Sequence, residues 1–582
     1  TTANDNTAVG YDALGANTTG SQNTAVGNDA LKANTTGTNN VALGHDSLKA
    51  LTTNSYCTAV GDYALAQNTA QYMAAFGAQA LGDNTTGTEN TALGFRALRL
   101  NTTGSKNTAV GVDALYTQTT ADYNTAVGYV ALRLNTTGVK NTAVGYAALD
   151  ANTTASDNTA VGEQALGTTT TGGQNTAVGA RASLALTTAQ DNVAIGHQSG
   201  TAITTGNDNT LIGSNCGMTA TTDIGLTAVG KSALQDSTGS YNSAIGVSAL
   251  QNISGNHNVA IGRNTMGGAG SVNYCVAVGD YALDATSTGD SNVAIGYNAL
   301  TANTTGNNNV AVGKDAMEDN TTGHSNVAIG QNALHNNNSN YNVAIGEGAM
   351  TTATTTAGNV AVGYAALDAS NADENTAVGH QASGSVTTGH SNTSVGYNAL
   401  DSCTTGTQNT AVGRQAADGI TTGSNNVAIG YDSAGSGVGN VQTSSNNICL
   451  GNNNSTDAFI KIDWTVGSDR RDKTDIEPFN HGLSWINKLN PVTYRWDNRS
   501  NYEDGKPDGS KKAPKLNVGL IAQDELEVEK EHGFGDTPDN MIIAHINDGG
   551  DYGMKYAKLV PILINAVKEL SAKVEELESK LN

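Results

Sequence analysis

The stretch Asn6-Thr7-Ala8-Val9-Gly10-Tyr11-Asp12-Ala13-Leu14-Gly15-Ala16-Asn17-Thr18-Thr19-Gly20-Ser21-Gln22 decides how this chain folds. Its opening phrase recurs with Val and Ile variants, and the glycine of the phrase falls at Gly10, Gly27, Gly44, Gly61, Gly77, Gly94, Gly111 and onward to Gly430. Of the 25 intervals between Gly10 and Gly430, 20 are 17 residues long and five are 16, and a last step of 21 leads to Gly451. Disorder explains the polarity of such a sequence but not its register, whereas a solenoid explains both. Within the unit, Asn6–Val9 is short and carries β-branched residues, which predicts a strand. Gly10 punctuates it, Ala13-Leu14 is a second apolar step, and Asn17-Thr18-Thr19-Gly20 has the chemistry of a turn. Asp12–Ala16 is one helical turn at most, below what sustains a helix.

Each coil then offers Ala8, Val9, Ala13 and Leu14 as small inward side chains. That is thin filling for the bore of a single-chain solenoid, so three parallel chains sharing a narrow axis are predicted. Stacking at ~4.8 Å per coil gives a rod of roughly 120–130 Å. Proline, which removes ladder hydrogen bonds, is absent before residue 478.

Composition supports a division of the chain. Of 582 residues, 5% are aromatic, 14% are charged and 69 are glycine, which is poor in the large side chains of an ordinary globular core. The net charge of −23 separates into −18 over residues 1–467 and −5 over residues 468–582. An excess of that sign argues against nucleic acid as a partner. No run approaches 18 apolar residues, so no membrane insertion by a helix is expected. Cys57, Cys216, Cys275, Cys403 and Cys449 lie far apart without CxxC spacing and read as reduced, packed thiols. The histidines show no paired spacing, and Asp12, Asp29 and Asp46 recur without a calcium-binding nonapeptide, so no metal and no cofactor is expected. All six prolines follow residue 477 and all three tryptophans follow residue 463. The organisation predicted is a repetitive shaft over 1–451, a connector or plug over 452–467 marked by Phe459, Ile460 and Trp464, and a different domain over 468–582. The chain opens on Thr1 without an initiator Met or a signal peptide, which predicts that a longer protein precedes it.

The repeat is similar to the head repeats of trimeric autotransporter adhesins, which share an Ala-Val/Ile-Gly core, and resembles still more closely the Asn-Thr-Ala-Val-Gly arrays of phage tail fibres. The C-terminal part carries four blocks in order. They are Ser468-Asp-Arg-Arg-Asp-Lys473, Gly482-Leu-Ser-Trp-Ile-Asn-Lys-Leu-Asn-Pro-Val-Thr-Tyr494-Arg-Trp496, Gly519-Leu-Ile-Ala-Gln523-Asp, and Tyr556 to Leu570. Together they resemble the self-cleaving intramolecular chaperone of endosialidases, tail spikes and neck appendages, over about residues 466–582. The resemblance implies a small α+β domain that trimerises the nascent fibre, helps the shaft fold and then cuts itself off. The family's motif Ser-Asp-x-Arg-x-Lys lies on Ser468, Asp469, Arg471 and Lys473, so the resemblance makes Ser468 and Lys473 the catalytic dyad, with Asp469 and Arg471 as supporting positions. The chemistry fits, because a serine hydroxyl needs a base and a lysine is one only when burial or nearby cations favour the neutral amine. Arg470 and Arg471 act in that direction, while Asp469 and Asp472 oppose it; many family members have an apolar residue where this chain has Asp472. A cut beside Ser468 is expected, at either the 467–468 or the 468–469 bond. Read without the family, Ser468–Lys473 is a solvated charged linker.

The chain's end needs no family. Val560, Leu563, Val567, Leu570, Val574, Leu577 and Leu581 alternate steps of three and four, which predicts a coiled-coil helix over about 559–581. The alternative is an amphipathic helix on a globular core. A terminal coiled coil would fix the register of three chains before weakly patterned repeats slip by a coil.

The position after the repeat glycine varies freely (Tyr11, Asn28, His45, Asp62), which predicts exposure. Its tyrosines allow a glycan- or protein-binding stripe or a plain variable surface. Asn-Thr-Thr at Asn17, Asn34, Asn101 and Asn135 permits glycosylation formally but reads more simply as turn ladders. The function expected is a mostly β, homotrimeric solenoid fibre of 16–17-residue repeats, structural and adhesive. It would be carried on a virion and extracellular when mature, joined to other virion proteins through an N-terminal part and facing a host receptor or glycan. Its chemistry is a single self-cleavage without an external substrate. The rivals are a bacterial trimeric surface adhesin with the same chaperone and a polysaccharide-degrading tail spike, though no cluster of carboxylates and aromatics marks the repeats.

Overall fold

The computed structural model describes residues 3–268, 270–435, 441–452, 455, 458–459, 461, 466–499, 502–546 and 550–581. The chain forms two compact units, Thr1–Ala328 and Ile329–Asn582. Most of the expected plug at 452–467, Ile460 and Trp464 included, lies outside the described residues.

In both units each repeat contributes one three-residue strand, from β1 (Thr7–Val9) onward to β27 (Ile448–Leu450). Successive strands pair in parallel and in strict register, with Thr24 opposite Val41, Ala25 opposite Ala42 and Val26 opposite Leu43. The chain is a β-solenoid of about 26 turns, as the glycine spacing predicts. The repeat glycine ends each strand with a positive φ, +138° at Gly27, where a Cβ would stand 2.5 Å from the Gly44 oxygen. Only glycine fits both the torsion and the approach. The next segment is not helical. Asp29 and Leu31 take left-handed φ values of 58° and 52°, and two tight turns follow one another, with Lys32 N–H donating to Asp29 O and Asn34 N–H to Leu31 O. A left-handed leucine is costly. Here it aims the side chain into the coil, where Leu31 is fully buried.

The inward set differs from the one predicted. In the coil after Asn23, Ala25, Ala30 and Leu31 are buried, but so are Asn23 and Asn34. Val9 and its counterparts face outward, because strand side chains alternate and the central alanine takes the inner face. Asparagine replaces the missing apolar volume. Asn40 N–H donates to Asn23 Oδ1 at 3.0 Å, and Asn23 Nδ2 donates to Gly37 O at 2.9 Å. The same ladder runs through the second unit, where Asn392, Asn409 and Asn426 each donate a backbone N–H to the asparagine one coil back. A second ladder uses the Asn-Thr-Thr-Gly asparagines, Asn34 Nδ2 donating to Asn17 Oδ1 at 3.0 Å. Asn34, Asn101 and Asn135 are therefore interior residues, which removes their side chains from glycosylation. A single chain fills its own bore, so thin filling is not a reason for three chains.

The four enclosed cysteines sit in this interior as the composition predicts. Burial pushes the Cys57, Cys275 and Cys403 thiols up to about 11 and the Cys216 thiol up to about 12.

The C-terminal part is built differently. Helix α1 (Leu483–Ile486), α2 (Ala522–Glu531) and α3 (Leu559–Leu581) accompany two antiparallel ribbons, β28 (Val492–Tyr494) with β29 (Asn517–Gly519) and β30 (Ala544–Ile546) with β31 (Tyr552–Met554). Its core is Trp485, Ile543 and Ile562, with Phe479, Val528, Phe534 and Leu559 packed around them. Helix α3 has two apolar aspects. Ile562 and Ala566 are buried against the domain, while Val560, Leu563, Val567, Leu570, Val574, Leu577 and Leu581 are all exposed.

Candidate functional site

Residues 468–473 form one tight loop, and local chemistry sets its shape. Asp469 caps a 3-10 turn over Arg470–Asp472, accepting the Arg471 backbone N–H at 2.9 Å. The same carboxylate takes the Arg471 guanidinium, with Nη2 at 2.6 Å from Oδ2 and Nε at 3.1 Å from Oδ1. The side-chain bond to Arg471, reinforced by the backbone bond, holds the Asp469 carboxyl below its usual range. Lys473 N–H closes the turn on Arg470 O at 3.3 Å. The chain leaves in extended form at Lys473, with φ −124° and ψ 137°.

This turn returns Lys473 to Ser468. Lys473 Nζ lies 2.5 Å from Ser468 Oγ, within the reach required of a nucleophile and its base. The four motif residues therefore meet in one place. Arg471 is held by Asp469, so its charge is compensated locally rather than left facing Lys473. All six residues are exposed in the single chain. An exposed ammonium is strongly hydrated and favours its charged form. As a base, the lysine needs a cover over this loop.

Residues 468–534 match a family model described as the chaperone of endosialidase. The C-terminal part of the chain carries a chaperone-of-endosialidase domain. The match begins at Ser468 itself and runs past α1 and α2 into the aromatic core. A long solenoid of ~17-residue repeats followed by this chaperone fits a tail fibre with a C-terminal chaperone. No curated protein and no solved structure matches the chain.

Sequence reasoning missed a second group in this domain. Glu525 and Glu529 on α2 are almost wholly buried, at 2% and 0% exposure. Glu529 accepts three backbone N–H groups, from Ile542, Ile543 and Ala544 at 2.9, 2.7 and 2.5 Å. Glu525 Oε1 accepts Trp485 Nε1–H at 2.9 Å, and its Oε2 has no partner. The available signal was their spacing of four, which places both on the α2 face shared by Ala522 and Leu526.

The tyrosine stripe is exposed, as its variability predicts. In the second unit Tyr364, His380 and Tyr397 stack at 5.1 and 5.0 Å, and Arg414 lies 5.6 and 5.5 Å from the rings of Tyr397 and Tyr431. Their flat faces are covered by one another.

Proposed function

We propose that this chain is a homotrimeric tail-fibre shaft whose chaperone domain assembles three copies and is then released by self-cleavage beside Ser468. The observation that carries the reading is the 2.5 Å approach of Lys473 Nζ to Ser468 Oγ at the first residue of the chaperone match. In the reaction Lys473 takes the hydroxyl proton, Oγ attacks the adjacent carbonyl, and the peptide C–N bond beside Ser468 breaks. The leaving amine receives the proton and water hydrolyses the resulting ester. One such event ends the chemistry.

Trimerisation is supported by two uncovered apolar surfaces. Parallel sheets are normally covered on both faces. Here the outer face carries Val, Leu, Ile or Phe at the third position of every strand, with Leu43 42%, Leu93 49% and Ile429 45% exposed. The α3 seam is the second surface. Two further copies of the same chain, in the same register, cover both. An adhesive role on a virion, with a host receptor or glycan as partner, is part of this reading, and the fit of a long solenoid with a C-terminal chaperone to a tail fibre is what supports it.

The test is the intact mass of the purified full chain beside Ser468→Ala and Lys473→Ala. The reading requires the wild type to split near residue 468 while both variants remain at 59.2 kDa. A wild type that folds, trimerises and stays whole makes the domain a retained trimer clasp without peptidase activity.

A further inference from the structure

Each solenoid strand turns its first and third side chains outward and its middle one inward. In almost every coil the outward pair is Thr or Val followed by Val, Leu or Ile. One strand departs at both positions. In β5 (Ala74–Phe76) the first residue shrinks to Ala74 and the third grows to Phe76. Of the 27 described repeat strands, it alone has alanine first and it alone has an aromatic third. The volume lost at one position offsets part of the volume gained at the other.

The interior shows what such an exchange means. In β13 (Thr210–Ile212) Leu211 stands where other strands have a small middle residue, and it is fully buried. Gly200 and Gly217 stand where most coils carry the buried leucine, and a Cβ at either would lie 2.9 Å from Leu211 Cδ1. A large residue is matched there by small ones because the space is closed. A face open to water sets no such limit. Phe76 is 40% exposed in the single chain and Ala74 is half-buried, yet the pair obeys the rule of a closed space.

We propose that Phe76 of one copy packs on Ala74 of the next around a parallel trimer, and that this contact sets the axial register of the three chains. It rests on the homotrimer reading of the shaft. The face is large enough to need a partner. The outward third residues of β1–β19 offer on the order of 1,000 Å² per copy, against about 800 Å² per partner in a stable interface. In register, each of the three Phe76 rings meets an alanine at its own height, and the heterologous contact closes on itself. Shifted by one coil, the ring meets Thr58 or Thr91, the residues paired with Ala74 in the adjoining strands. Their extra atoms overpack the site. Coils that repeat Thr and Val make no comparable distinction between levels.

The test is disulfide trapping in the full chain. The first and third residues of one strand lie roughly 6.5–7 Å apart, beyond the roughly 3.5–4.5 Å between the Cβ atoms of a disulfide. Ala74→Cys and Phe76→Cys in one chain therefore cannot link to each other. Oxidised with copper–phenanthroline, the double variant is expected to run as a covalent trimer on a non-reducing denaturing gel, and each single variant as single chains. Light scattering of the wild type reads assembly separately. A wild-type trimer whose double variant assembles without links overturns the contact alone; a wild type of single-chain mass overturns the trimer reading and the contact with it. If the double variant does not assemble, Ala74→Thr decides. Its added atoms crowd the ring, so the yield of trimer on refolding should fall by roughly threefold or more, and an unchanged yield overturns the contact.

Discussion

Asn107 Oδ1 accepts the backbone N–H of Asn124 at 2.9 Å, seventeen residues along the chain and one coil along the solenoid. The same side chain donates from Nδ2 to Ala121 O at 2.9 Å, and its own backbone N–H is received by Asn90 Oδ1 at 2.9 Å. One buried amide thus ties three coils without any apolar contact. In low dielectric such a network is favourable only while complete. Asn107→Ala leaves the buried Asn124 N–H unpaired and takes from Ala121 O one of its two side-chain donors, the other being Gln118 Nε2 at 3.0 Å, and is expected to cost about 3 kcal/mol. Because solenoid stability is a sum of coil and neighbour terms, the loss is local. Amide exchange at strand residues 108–110 and 125–127 should speed up by about a hundredfold, while coils beyond residue 200 keep their protection. A uniform loss along the first unit would contradict the nearest-neighbour account.

Asp469 is expected to be a positioning residue rather than a participant. Its carboxylate shapes the turn that returns Lys473 to Ser468. Asp469→Ala should slow self-cleavage on the order of tenfold to a hundredfold by loosening that geometry. The shape of the pH–rate profile should not change, because the base is still Lys473. Asp469→Asn, which keeps a capping oxygen but loses the charge towards Arg471, should fall between. A displaced profile in Asp469→Ala would show that Asp469 takes part in proton transfer.

The repeat glycines were enough to specify coil, strand and register, since a 17-residue step with Gly10, Gly27 and Gly44 in phase has few other meanings. The direction of the side chains was less legible. In Thr-Ala-Val the alternation alone does not say whether Ala or the flanking pair points inward, and hydrophobicity favours the wrong choice, Val9. The close approach between strands and turns, which alanine permits and valine does not, decides it. Asn23 opens a predicted strand and Asn34 a predicted turn, and neither reading says that the side chain points inward. Their inward position depends on a neighbour at the same height in the next coil, a relationship only stacking creates. In the C-terminal domain the family motif named Ser468 and Lys473, whereas the turn capped by Asp469 that brings their side chains together appears only in the structure. Glu525 was hidden among Glu527, Glu529 and Glu531, where charge suggests a solvated helix and only the fold selects two faces.

The cysteines give a quantitative check on burial. At pH 8 a thiol with the ordinary value of 9.0 is about one-tenth thiolate, whereas one pushed up to about 12, as Cys216 is, is about one part in ten thousand. Cys57, Cys275 and Cys403, at about 11, fall between. A thiol reagent at pH 8 should therefore label at most one site rapidly in the folded chain. That site should be Cys449, which is only partly buried although burial raises it too. Denaturation should bring the count to five. Rapid labelling of two or more thiols in the folded protein would mean that the coils open far more readily than their ladders imply.

The two aspects of α3 make assembly and domain folding separable by mutation. Asn565 Nδ2 donates to Phe479 O at 2.5 Å, the Leu483 N–H donates to Glu569 at 3.0 Å, and Ile562 is buried in the core. These contacts fix the helix to its own domain. Leu570 and Leu577 lie on the exposed seam and contribute only if other copies cover them, at about 2 kcal/mol for each fully buried side chain. The double variant Leu570→Asp, Leu577→Asp places charge at the centre of that seam. Light scattering should give a mass of three chains for the uncleaved Ser468→Ala protein and of one chain when the seam changes are added, with the near-ultraviolet signal of Trp485 retained. Ile562→Asp should instead destroy that signal. Because Ser468 and Lys473 are exposed in the single chain, the seam variant on a wild-type dyad should also cleave at least tenfold more slowly, on the view that neighbouring copies supply the burial a lysine base needs. Cleavage at the full rate by a monomer would place the base-activating environment within one chain, and a seam variant that remains trimeric would remove α3 as the clasp.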